Sequence, residues 1–202
     1  MYNLIRKDFV IQRKTLALMM IGIAIYLFLD ISSMWVGVVF GIVIVVNTFA
    51  LEEKASVHKF INSMPYTRRE VVQSRYVVVL LFTLLVATVI FMGNLVIHRE
   101  LIDWKDMLIM CSMVILAASF IMPFCYKFKS NYLLISSVIA FASYFVVVTL
   151  FVPNLNDYIR ELMNVILSSD RFFIYLFLAV VVSFIYGLSG VLSTRIYHKK
   201  IF

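Results

Sequence analysis

The chain has 202 residues, 63% of them hydrophobic and only 14% charged, with a formal net charge of +7. Soluble domains carry charge on about a quarter of their residues, so this composition excludes the soluble classes and predicts an all-α integral membrane protein built on apolar runs of about 20 residues. The basic surplus is spread over the flanks of those runs, a pattern that orients a membrane protein and does not call for nucleic acid as a partner.

In chain order, residues 1–14 read as an amphipathic interfacial helix. Arg6, Lys7, Arg13 and Lys14 share one arc of a helical wheel and Met1, Tyr2, Ile5 and Phe9 another, with Asp8 and Gln12 breaking the division. A helix of this kind buries its apolar side at the lipid boundary and turns its basic side to anionic headgroups; a plain basic flank that orients the first span is the alternative. The apolar run after Lys14 leads into Asp30-Ile31-Ser32-Ser33 with no small-residue cleavage site, so it is expected to be a span and not a cleaved signal peptide.

Six transmembrane helices are expected, at 15–29, 34–51, 76–97, 107–126, 132–152 and 172–194. None holds a Lys, Arg, Asp or Glu in its interior, where a single central charge costs about 2.5–3.5 kcal/mol on insertion scales. Of the 18 basic residues, 14 fall on the side of the two termini and of residues 52–75, and 4 on the other. The positive-inside rule therefore places both termini and 52–75 in the cytoplasm. Pro123 is expected to kink the fourth span.

Residues 52–70 are the most patterned polar stretch. Val57, Phe60, Ile61 and Met64 form one face of a short helix, and Lys54, His58, Lys59 and Asn62 fill the other. Pro65 stops that helix, and Thr67 with Glu70 has the spacing of a capping box for the next one, flanked by Tyr66 and Val71 as a hydrophobic staple. On the opposite side, 98–106 is a short connection with Trp104 as an interfacial anchor. Residues 153–171 carry a helical stripe of Leu155, Tyr158, Ile159, Leu162 and Ile166, which predicts a short external helix, with a solvated loop as the alternative. Small residues mark packing faces at Gly37 and Gly41 and at Ser183, Gly187 and Gly190; these serve helix packing within one chain or between two.

Enzyme chemistry is missing from the pattern. There is no GxxxxGK[ST] loop and no HExxH; His58, His98 and His198 lie in separate segments, and Gly187-Leu188-Ser189-Gly190 lacks the spacing of a nucleophile elbow. No catalytic residue, cofactor or metal is expected in this chain. Cys111 and Cys125, both in one apolar run, read as ordinary helix residues. The spans also lack the buried ionisable residues that mark proton relays, Asn47 and Asn94 being their most polar side chains. Any transport would then draw its energy from a partner.

The layout, together with the stretch LEEKASVHKFINSMPYTRREVVQSRY, resembles the ABC-2-type transporter permeases, small bacterial peptide and toxin exporters among them. The resemblance implies that 53–62 is a cytoplasmic coupling helix docking on a separate ABC ATPase, with Val57, Phe60 and Ile61 as anchors and Glu53, Lys54 and Lys59 as polar contacts. ATP and Mg would be bound by that partner. It also implies pairing as a homodimer, or as a heterodimer with a related permease, in the bacterial cytoplasmic membrane. A non-transporting immunity or sensor protein and a secondary transporter are the alternatives.

Overall fold

A computed structural model of the chain describes residues 2–29, 32–54, 67–97, 99, 101–128, 132, 135, 157, 158, 161 and 172–199. Five long helices run through them: α1 Tyr2–Leu27, α2 Ser33–Lys54, α3 Arg68–Ile97, α4 Trp104–Lys127 and α5 Phe172–Lys199. Among the described residues these five are long and apolar enough to cross a membrane. The expected fifth span at 132–152 and the external helix at 153–171 fall almost wholly outside the described residues.

The first helix differs from the expectation. The sequence divides 1–14 and 15–29 into a surface helix and a span, whereas the chain forms one unbroken helix from Tyr2 to Leu27. The reason is a single buried stripe of Leu4, Asp8, Gln12, Leu16, Met19, Ile23 and Leu27, spaced by threes and fours straight through the supposed boundary. Asp8 and Gln12, which spoil the amphipathic wheel of 1–14, are 2% and 3% exposed because they point into the bundle and not toward water. Likewise α2 runs past residue 51 to Lys54 and α3 starts at Arg68, eight residues before the expected span, since nothing in either flank interrupts a helix.

α3 lies at the centre and packs against each of the other four, while α1 packs on α2, and α4 on both α2 and α5. Two apolar clusters follow from this. One joins α1, α2, α3 and α4 through residues such as Ile23, Ile44, Phe82, Ile90 and Met110. The other joins α2, α3, α4 and α5 through Phe49, Tyr76, Met122, Tyr126 and Tyr197. Rings interlock the helices: Phe9 with Phe82 at 4.8 Å between centroids, and Tyr26 with Phe40 at 5.7 Å.

The two ends of the bundle are distinct. At one end α2 begins and α3 finishes, pinned by Ser33 Oγ donating to Asn94 Oδ1 (3.1 Å) and Asn94 Nδ2 donating to Ser33 Oγ (2.8 Å). Trp104 and Tyr175, near the starts of α4 and α5, touch at 5.2 Å. Arg99, with φ 56°, makes a left-handed turn between α3 and α4. At the other end α2, α4 and α5 finish and α3 begins. α4 and α5 are therefore parallel, since their last turns also meet, Tyr126 against Tyr197 at 5.5 Å.

The glycine pair of α2 serves packing within the chain. A Cβ on Gly41 would sit 2.6 Å from Val114 Cγ2, and one on Gly37 would sit 2.7 Å from Ile90 Cδ1 while overlapping the Met110 sulfur. Close backbone approach of this kind is what small residues permit in lipid, where apolar burial gives helices no drive to associate.

Candidate functional site

The end of the bundle where α2 finishes and α3 starts carries the patterned segment 55–66, and the residues that frame it are the candidate site. Glu53 and Lys54, expected in a separate coupling helix, stand in the last turn of α2. Val57, Lys59, Phe60, Ile61 and Pro65 lie outside the described residues.

Beyond the segment the chain re-enters helix through a capping box. Thr67 N and Thr67 Oγ1 donate to Glu70 Oε2 at 2.8 and 2.9 Å, and Glu70 N donates back to Thr67 Oγ1 at 3.3 Å. These bonds occupy donors that the first turn of α3 would otherwise leave orphaned. The next residue reaches across to α5: Arg68 Nη1 donates to the carbonyls of His198 (2.9 Å) and Tyr197 (3.4 Å). A cation on the last carbonyls of a helix also complements its dipole.

Two turns deeper, Arg75 is 3% exposed. Its guanidinium lies over two rings, Phe49 of α2 at 5.1 Å and Tyr126 of α4 at 5.6 Å. Cation–π contact of this sort is worth about 2 kcal/mol when desolvated. On the α1 side Gln12 Nε2 donates to Thr48 Oγ1 at 3.0 Å, and Thr48 Oγ1 donates to the Ile44 carbonyl of its own helix at 2.9 Å.

Between α3, α4 and α5 runs a chain of hydroxyls. Pro123 sits inside α4 and has no N–H to give the Ser119 carbonyl one turn back. Ser189 Oγ of α5 donates to that carbonyl at 2.6 Å. Its one proton is thereby used, so Tyr76 Oη, 2.7 Å away, must donate to Ser189. Tyr76 in turn accepts from Ser193 Oγ at 2.8 Å. The chain has one direction, from Ser193 through Tyr76 and Ser189 to Ser119. Tyr186 Oη adds a bond to the Tyr76 carbonyl at 2.8 Å.

Comparison with protein families matches residues 3–198 to the family described as ABC-2 family transporter protein. The chain belongs to the ABC-2 transporter family. Neither the curated proteins nor the solved structures gave a match.

In this ABC-2 chain, family membership and five membrane-length helices make a multi-pass membrane protein with a permease-like role. Of the residues singled out from sequence, the structure brings Thr67 and Glu70 together and sets Gly37 and Gly41 against α3 and α4. On α5, among the described residues, Ser183 is exposed, a Cβ on Gly187 would meet nothing within 4 Å, and a Cβ on Gly190 would lie 3.8 Å from the Tyr76 ring. Sequence reasoning missed Gln12, Arg75, Tyr76, Ser189 and Ser193. One signal was there to find: a proline within a span frees the carbonyl four residues earlier, and a serine one small-residue stripe away is the natural donor. Cys111 and Cys125 are in no disulfide.

Proposed function

We propose that this chain is the membrane-spanning permease subunit of an ATP-binding-cassette exporter, forming the translocation path as a dimer with itself or a related permease. A separate ATPase docks on the coupling helix within 53–62, with Val57, Phe60 and Ile61 as apolar anchors. ATP and Mg are bound and turned over on that partner, and this chain contributes no catalytic group. The basic balance of the flanks orients both termini and the coupling segment to the cytoplasm of a bacterial cell.

The observation that carries the reading is the match of residues 3–198 to the ABC-2 transporter family. Two features of the fold support it. Segment 55–66 joins the end of α2 to the capped start of α3, at the end of the bundle whose helix termini carry Arg68, Arg69, Lys127, Arg195 and Lys199. In addition, α4 finishes and α5 begins at opposite ends, an arrangement that supports a further crossing within 132–152 and hence six spans.

The test is Phe60→Asp. A charge on the apolar stripe should abolish both transport and co-purification of the ATPase, with membrane insertion unchanged. Undiminished co-purification would sink the assignment of the docking helix.

A further inference from the structure

The first turns of α3 and the last turns of α5 line an open cavity of about 880 Å³. Its two halves differ in chemistry. Toward the end of the bundle it is ringed by Arg69, Arg195, His198 and Lys199. Among the described residues no carboxylate lines it, so three fixed cations and an imidazole face one space with no countercharge among them. Deeper in, along the span, its wall is Val77, Val191 and the backbone of Gly187 and Gly190, with Tyr76 and Tyr186 at its back. Among the described residues Val77, Gly187 and Val191 are exposed, and they lie within helices long and apolar enough to cross a membrane. Among the described residues the missing side chain at Gly187 leaves open space, and a Cβ on Gly190 would stand 3.8 Å from the Tyr76 ring.

We propose that this groove binds an anionic phospholipid. Its phosphate is held by the Arg69 and Arg195 guanidinium groups and the Lys199 ammonium, and one acyl chain lies along Gly187, Gly190 and Val191. Basic pockets between membrane helices recognise lipid headgroups in this way, and guanidinium groups pair with phosphate through two parallel hydrogen bonds. Charge complementarity selects this occupant. A second copy of the chain would have to bring acidic side chains to the same place, and a neutral lipid would leave three cations crowded and unpaired. The pairing of an apolar floor with a basic mouth also distinguishes the site from a plain phosphate pocket, which has no use for the lower half. The inference rests on the membrane-spanning fold and not on the docking of an ATPase.

The test uses the full-length chain purified in detergent, with bound lipid counted by native mass spectrometry. Dioctanoyl phosphatidylglycerol, dioctanoyl phosphatidylcholine and glycerol phosphate are the three probes. Phosphatidylglycerol should bind well in preference to phosphatidylcholine, and glycerol phosphate should compete poorly. Arg69→Gln and Arg195→Gln should each weaken phosphatidylglycerol by about fivefold. Gly187→Leu should fill the floor and block it, with helicity and elution volume unchanged. Equal binding of the two lipids by the unmodified chain would overturn the proposal, as would glycerol phosphate competing as strongly as the lipid. A Gly187→Leu chain that keeps its lipid but changes from dimer to monomer would assign the groove to a second copy instead.

Discussion

Pro123 and Ser189 show how a single missing proton donor is handled in a medium without water. Within a bilayer a backbone carbonyl must find its partner inside the protein. The Ser119 carbonyl, deprived of its usual donor by Pro123, finds it on α5 at 2.6 Å. This makes the two positions energetically dependent. Ser189→Ala should destabilise the folded chain by about 1 kcal/mol, the scale of interhelical hydrogen bonds in membranes. In a Pro123→Ala background the restored N–H takes the carbonyl, so the same change should cost less. A double-mutant cycle on thermal unfolding in detergent would read the coupling; additive effects would refute the account. At this scale, legibility depended on sequence distance. The Thr67–Glu70 cap is readable because both partners sit within one turn. The Ser189–Ser119 bond joins residues 70 apart and needs the packing to be known first.

At the scale of the element, hydropathy located spans but did not show which face each one buries. α3 is apolar nearly all round: its buried side includes Val72, Val79, Phe82 and Ile90, and its outward side Val77, Leu80, Leu84 and Leu95. A helix of that kind carries no amphipathic signal, so its central position was invisible. The polar residues are more telling. Asp8 and Gln12 were imperfections in a surface helix judged over 14 residues, yet over 26 they belong to the buried stripe of α1. The consequence is testable. Deleting residues 2–12 removes Leu4, the Phe9 ring against Phe82, and the Gln12 bond to Thr48. Loss of these contacts removes the packing that seats the first half of α1 on α2 and α3. The truncated chain should therefore lose monodispersity and lower its melting temperature. A truncated chain as stable as the full one would mean that the first half of α1 is a detachable surface lever.

For the whole molecule, charge counting and composition gave the class, and the patterned segment gave the family. The parallel course of α4 and α5, the groove beside α5 and the packing role of Gly37 and Gly41 are legible only in the fold, because each depends on which helices are neighbours. One contact ties these larger parts together. Arg68 follows directly on the N-cap Thr67, at the close of segment 55–66, and it holds the final carbonyls of α5 across 130 residues of sequence. Its neighbour Arg69 and its acceptor residue His198 both line the mouth of the groove. Binding at the segment that acted through this contact would reach the mouth, and thermodynamic linkage would make the effect reciprocal. A partner bound to 55–66 and a lipid bound in the groove should alter each other's affinity by one common factor. Arg68→Ala should bring that factor to one while each binds alone as before. Equal coupling with and without the Arg68 side chain, measured by lipid titration in the presence and absence of the partner, would show that the two sites communicate by another route.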